Sequence, residues 1–193
     1  MAVPQSLDES MYPLDLSQEE FCAHLYTTQN RKFDKLVVGA AIIKYVARHD
    51  SECMEPQILL LKRSATEIYY PNVFEVPGGN VDPDDPNIKA AVCREVREET
   101  GLEVTKVLVR LPDMIYFTEK KIEGNDGTTS LAKKACIQLN FGVEVDLSQD
   151  FQVNPDEHST GVWADRKMLG ELEMTAEMKD LVETSLNQFT NKD

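Results

Sequence analysis

The stretch Val76-Pro77-Gly78-Gly79-Asn80-Val81-Asp82-Pro83-Asp84-Asp85-Pro86-Asn87-Ile88-Lys89-Ala90-Ala91-Val92-Cys93-Arg94-Glu95-Val96-Arg97-Glu98-Glu99-Thr100-Gly101-Leu102 decides the fold. A glycine pair leads through a turn rich in Pro and Asp into a helix. Asp85 is a favoured N-cap, Pro86 suits the first helical position because its missing N–H would have no partner there, and Gly101 suits a left-handed stop. These signals predict a helix over Pro86 to Thr100. On a wheel of about 100° per residue with Ile88 at zero, Ala91, Val92 and Val96 fall at about 300°, 40° and 80° and define an apolar stripe. Glu95 and Glu99 fall at about 340° and 20°, inside that stripe, and Glu98 flanks it at about 280°.

Two carboxylates in an apolar stripe carry a cost. Desolvating a charge is expensive, and like charges at i, i+4 repel, so the pair is poorly explained by stability. A divalent cation removes both objections, because Mg²⁺ takes oxygen ligands and leaves room for water and phosphate oxygens. Arg94 stands at i, i+4 from Glu98 and is placed to orient its carboxylate by a charge-assisted pair. A solvated, charged surface helix is the alternative for a run such as Arg94 to Glu99. That alternative leaves the position of Glu95 and Glu99, and the adjoining glycine pair, unexplained.

Around this segment lie strand patterns. Leu36 to Tyr45 and Gln57 to Arg63 are continuous apolar runs of the kind buried on both faces, joined through a polar loop from Arg48 to Pro56. Glu103 to Arg110, Met114 to Glu119 and the alternating run Ala135 to Val145 are further strands, with a turn at Gly124-Asn125-Asp126-Gly127. Ser17-Gln18-Glu19-Glu20 has the form of a capping box opening a short helix, and residues 1–16 are expected to wrap the surface or fray. Asp165 to Leu172 and Thr175 to Phe189 carry helical spacing. The pattern is that of an α/β fold: residues 1–35 form an N-terminal extension with a short helix, and residues 36–190 form the main domain.

The 193 residues carry 34 Asp plus Glu against 20 Lys plus Arg, a formal net charge of −14. A surface of that sign argues against a nucleic-acid polymer as partner, and a protein this acidic that handles phosphates is expected to use divalent cations. The four cysteines show no metal-ligand spacing, which points to reduced thiols. No apolar run approaches membrane-spanning length and no secretory leader is evident, so no membrane partner and a cytoplasmic location are expected. The three histidines have no nucleophile to pair with, so a Ser-His-Asp mechanism has no support.

The quoted segment resembles the signature of the Nudix hydrolase superfamily, G-x5-E-x7-R-E-U-x-E-E-x-G-U with U a bulky aliphatic. Arg94, Glu95, Val96, Glu98, Glu99, Gly101 and Leu102 match its second half. The first half departs: Asp85 stands where the pattern has Glu, and eight residues separate it from Arg94. Leu59 to Ser64, Phe74 to Gly79, and Glu157-His158-Ser159 with Trp163 are similar to other phrases of the family. The resemblance implies an α/β/α sandwich with a mixed β-sheet and hydrolysis of a diphosphate linkage. It further implies that Glu95, Glu98 and Glu99, with the Gly78 carbonyl, hold Mg²⁺ or Mn²⁺, that Arg94 orients the carboxylates, and that one acid activates water. Glu157 is the candidate acid outside the signature, and Glu119 a weaker one.

Substrate choice is less legible. Arg63, Lys133 and Lys134 are candidate phosphate contacts, and Tyr69, Tyr70, Phe74, Tyr116, Phe117 and Trp163 are candidates for a base-stacking wall, although aromatic strand residues are mostly packing. The coenzyme A pattern breaks between Ala65 and Asn72, and the proline and tyrosine spacings after Leu102 give only a weak likeness, at Tyr116, to dinucleoside polyphosphate enzymes. The expected substrate is a nucleoside diphosphate derivative such as a nucleotide sugar, an ADP-ribose-like compound or a dinucleotide. A housecleaning nucleoside triphosphatase of the oxidised dGTP type and a non-catalytic Nudix-like binding module are the alternatives. The oligomeric state is open, a homodimer being one option.

Overall fold

A computed structural model describes residues 11–47, 54–123 and 129–190. Its organising feature is a pair of strands buried on both faces. In β1 (Lys35–Ala47) and β2 (Met54–Arg63), alternate side chains enter different cores. Leu36, Val38, Ala40 and Ile42 join Leu59 and Leu61 on one face, against Ile88, Ala91, Val92 and Val96 of helix α2 (Ile88–Thr100). Ala41 and Ile43 join Ile58 and Leu60 on the other, against Met178, Leu181, Val182, Leu186 and Phe189 of helix α3 (Ala176–Thr190). Two-sided burial explains why these runs are continuously apolar. The result is the expected α/β/α sandwich.

The sheet is mixed. β1 pairs antiparallel with β2 and parallel with β7 (Thr129–Val145), from Lys35 opposite Cys136 to Ile42 opposite Val143. The outer edge of β7 takes β5 (Val104–Arg110) along its second half and β6 (Met114–Glu123) along its first. β2 also pairs with β8 (His158–Ala164) and with β3 (Phe74–Glu75), while β4 (Gly78–Asn80) lies antiparallel on β1. The short β3 and β4 bring the glycine pair beside the central strand.

Helix α1 (Gln18–Gln29) opens with the expected capping box: the Ser17 hydroxyl accepts from Glu20 N–H, and the Glu20 carboxylate accepts from Ser17 N–H. Several expectations need correction. Asp85 is not the N-cap of α2; Asn87 is, its side-chain oxygen accepting from Ala90 N–H at 2.9 Å, and the helix begins at Ile88. The extra loop residue moves the cap two positions along and frees Asp85 for another task. Between Asp165 and Leu172 only a single 3-10 turn forms, Met168–Gly170.

Of the N-terminal segment, residues 11–16 are neither frayed nor merely superficial. Leu14 is buried in the core shared by α1 and α2, and the carbonyls of Leu16 and Leu14 accept from Ile88 N–H and Lys89 N–H at 2.9 and 3.0 Å. The strap thereby satisfies two of the helix donors that have no intrahelical partner. The Gly124 to Gly127 turn and residues 48–53 of the expected loop lie outside the described residues, while Met54 to Pro56 belong to β2. Among the described residues no helix is long and apolar enough to cross a membrane, and Cys22, Cys93 and Cys136 are free thiols.

Candidate active site

The site forms where α2 passes beneath β4. Glycine is required on that strand by close approach. A Cβ at Gly78 would collide with the Val38 carbonyl, and one at Gly79 would lie 2.6 Å from the Glu95 carboxylate. The absence of side chains lets the helix acids press directly on the backbone of the strand.

Glu99 is 2% exposed and accepts a hydrogen bond of 2.8 Å from Gly78 N–H. Burial pushes its carboxyl up to about 9; the Gly78 bond pulls it back, and the charges of Glu75, Glu95 and Glu157 push further in the direction of burial. Glu95 is 8% exposed and is likewise raised by burial, opposed by its pair with Arg94. Both acids thus sit where the sequence placed them, and their desolvation is only partly offset by the protein.

Arg94 does more than contact Glu98. Its Nε and Nη2 grip the Asp85 carboxylate in a two-point bond of 3.0 and 2.8 Å, and Nη2 also donates to the Asn80 carbonyl at 2.9 Å. Nη1 then faces the other way, to Glu95 at 2.8 Å and Glu98 at 3.1 Å. Asp85 is itself fixed, because its second oxygen accepts from Asp82 N–H at 2.8 Å. The hydrogen bonds from Arg94 hold the Asp85 carboxyl below the usual range. Asp85 therefore locks the guanidinium, and the guanidinium positions two carboxylates. With one loop residue more than the family signature has, Asp85 still reaches Arg94.

A cleft of 330 Å³ opens beside this assembly, lined among others by Gly78, Gly79, Glu99, Glu157, Phe74 and Tyr116. Arg63 lies in its wall with every nitrogen engaged: Nε on the Tyr69 carbonyl at 2.9 Å, Nη1 on Glu75 and Nη2 on Glu67, each at 2.6 Å. Glu157 is exposed at the rim, 3.4 Å from the Asn154 side-chain amide. Burial raises the Tyr116 phenol well above its ordinary value. Glu98 is half exposed beside Arg94, outside the cleft lining. Lys134 lines a smaller adjoining hollow. Phe117 and Trp163 do not line the cleft: Phe117 is exposed under Lys133 Nζ, 4.4 Å away, and Trp163 packs on Phe151. Glu119 lies 3.9 Å from Lys133 on the β6–β7 surface, away from the helix acids.

Two groups escaped the sequence. His158 is buried, with Nε2 3.2 Å from Glu75 and Nδ1 3.9 Å from Glu99, and Nδ1 has no hydrogen-bond partner. Glu75 bridges His158 and Arg63. The separation of 83 residues between Glu75 and His158 has no local pattern by which it could be read.

Among the described residues no three acid, histidine or cysteine side chains already converge as a closed metal cage. The donor set nevertheless suits a hard cation. Mg²⁺ binds through one or two carboxylates, waters and substrate phosphates in preference to an all-protein cage, and Glu95 and Glu99 are oxygen donors whose burial lacks full compensation.

Comparison with known proteins agrees with this geometry. The NUDIX domain family model matches residues 36–184. The chain belongs to the NUDIX domain family. An RNA pyrophosphohydrolase of Rhizobium meliloti (strain 1021) is 36% identical over 47 residues, 24% of this chain; the match spans 28% of the length of that relative. In fold, the chain is similar to the NUDIX domain of Shewanella oneidensis NrtR complexed with ADP ribose, with TM-score 0.58, 18% identity, and 91% and 100% of the two chains covered. It is also similar to a C. elegans Ap4A hydrolase, with TM-score 0.55, 19% identity, and 82% and 99% covered.

Proposed function

We propose that this chain is a Mg²⁺- or Mn²⁺-dependent pyrophosphohydrolase that cleaves the diphosphate linkage of a nucleoside diphosphate derivative: a nucleotide sugar, an ADP-ribose-like compound or a dinucleotide. The observation that carries this reading is the pair of buried acids, Glu95 and Glu99, pressed against a glycine strand, with Glu99 and both glycines lining an open cleft. Family membership and the ligand named in the similar ADP-ribose complex support it.

In this account Glu95, Glu98 and Glu99, with the Gly78 carbonyl, would hold the cation. When bound, a divalent cation would supply neutralisation of the phosphate oxygens and a more acidic water. Arg94, locked by Asp85, keeps Glu95 and Glu98 oriented. Glu157 at the rim takes the proton from the attacking water. The water oxygen bonds to phosphorus, the bridging P–O bond breaks, and its electron pair leaves on the departing phosphate. Phe74 and Tyr116 contact the organic part of the substrate, Lys134 a part of it beyond the scissile linkage, and Arg63 the substrate through the wall that its bonds to Glu67 and Glu75 stiffen.

The test is a turnover panel with Mg²⁺ and Mn²⁺, comparing wild type with Glu98→Gln. Nucleotide sugars, ADP-ribose, dinucleotides, dinucleoside polyphosphates and oxidised dNTPs are offered. Release of a nucleoside monophosphate together with a second phosphorylated product, lost in the variant, is the expected result. Nucleoside monophosphate plus inorganic pyrophosphate from a triphosphate would transfer the proposal to housecleaning of nucleotides. Metal and ligand binding without any turnover would favour a sensor module.

A further inference from the structure

The cleft does not end at Tyr116. A second hollow of 210 Å³ adjoins it, and Lys35, Tyr69 and Thr118 line both. Together they form one trough, with Gly78 and Glu99 in one compartment and Lys134, Ile68 and Ala132 in the other. Strand register puts the two lysines on its floor. Lys134 stands opposite Thr118 and Tyr116 opposite Cys136, while Lys35 on β1 faces that same Cys136.

Two ammonium groups in one hollow are unusual in a chain of net charge −14. Four of the acids nearby have partners of their own: Asp34 accepts from Ala135 N–H, Glu67 and Glu75 hold Arg63, and Glu119 lies beside Lys133; Glu157 and Glu177 line the larger compartment and not the hollow that holds Lys134. Among the described residues neither Lys35 nor Lys134 has a carboxylate partner. Their charge is available to an anion entering the trough, and an ammonium is a suitable point-charge ligand for phosphate.

We propose that Lys35 and Lys134 form a distal phosphate subsite, so that the preferred ligand carries a further phosphate group beyond the scissile diphosphate. This deepens the hydrolase reading and rests on it for the identity of the scissile end. The far compartment lies away from the reacting linkage, so its contacts bind substrate and transition state alike. They act on KM and leave kcat nearly untouched.

The test uses two pairs of probes and the double variant Lys35→Met/Lys134→Met. ADP-ribose is compared with its 2′-phosphate, and diadenosine diphosphate with diadenosine tetraphosphate. Affinity is read by calorimetry with Ca²⁺, and kcat and KM with Mg²⁺. In wild type the phosphate-rich member of at least one pair binds about tenfold more tightly, as expected for about 1.4 kcal/mol. The double variant erases that preference through KM, with kcat for that member changing less than threefold. A response in the ADP-ribose pair marks a terminal phosphate, and one in the dinucleoside pair a longer polyphosphate chain. Should the double variant not fold, Lys134→Met, at an exposed strand position, gives the same direction at smaller size. Equal affinities within both pairs in wild type, or a preference that survives the substitutions, overturns the subsite. A lysine-dependent preference without hydrolysis of any probe supports the subsite and overturns the hydrolase reading.

Discussion

Helices α2 and α3 do the same structural work on opposite faces of one sheet, and they do it with different residues. The buried face of α3 is Met178, Leu181, Val182, Ser185, Leu186 and Phe189, whose one polar member returns its hydroxyl to the Leu181 carbonyl at 2.7 Å. The buried face of α2 is Ile88, Ala91, Val92, Val96 and Thr100, with Glu95 and Glu99 set among them. α3 shows what covering this sheet requires, and carboxylates are not part of it. Their presence on α2 is a cost that packing does not explain and that the proposed cation site does.

The comparison can be broken most decisively at Glu99. Glu99→Gln keeps the shape and the Gly78 contact but removes an anionic ligand. Turnover should fall by about 10³-fold, in line with the several kcal/mol a bound cation contributes, while the melting temperature of the metal-free protein holds or rises. A collapse of stability with this change would show that the acid serves packing. The converse substitution is Leu186→Ala on α3, fully buried. It should cost about 2–5 kcal/mol in denaturant unfolding and leave the kcat of the surviving folded protein unchanged.

Between these extremes lies the Arg94 lock. Asp85→Ala leaves the guanidinium without its two-point partner, and a loss of about 1–3 kcal/mol is expected, with kcat lowered because Glu95 and Glu98 lose their orientation. Unchanged kcat would reduce Asp85 to a loop anchor. Gly79→Ala tests the closeness of helix and strand. Its Cβ would displace the Glu95 carboxylate, for about 1–3 kcal/mol of strain and a visible loss of cation affinity.

The two helices also differ in pH dependence. Glu99 has a folded value of about 9 against an ordinary 4.5. Between those limits the folded protein keeps a proton that the unfolded chain releases, so this group lowers the stability of the metal-free protein as pH rises across the window. A cation must displace that proton, so stabilisation by Mg²⁺ should grow from pH 6 to pH 9. No comparable slope is expected from α3, whose buried face has no titrating side chain; thermal melts across pH with and without Mg²⁺ measure the difference.

Much of this was legible because it is local. The apolar runs of β1 and β2, the periodicity of α2 and α3, and the entry of Glu95 and Glu99 into an apolar stripe are all properties of short windows. The capping box at Ser17 was legible for the same reason. What escaped depends on distance in sequence. β3 and β4, of two and three residues, are strands only because β1 and β2 are there to pair with them. Asp85 looked like a cap by residue type, yet Asn87 won the position once the loop lengthened, and Arg94 claimed Asp85 from nine residues away. The strap of residues 11–16 over the start of α2, and the contacts of His158 with Glu75 and Glu99, come from closure of the whole fold.

On the proposed function, the acids of α2 are there to bind a cation. Titration of Mn²⁺ followed by electron paramagnetic resonance, with wild type beside Glu99→Gln at pH 8, tests it without knowledge of the substrate. Saturable binding in wild type that is weakened at least about tenfold in the variant, with both proteins folded, is the result this account requires. Equal Mn²⁺ binding by the two proteins, or none by either, would contradict it.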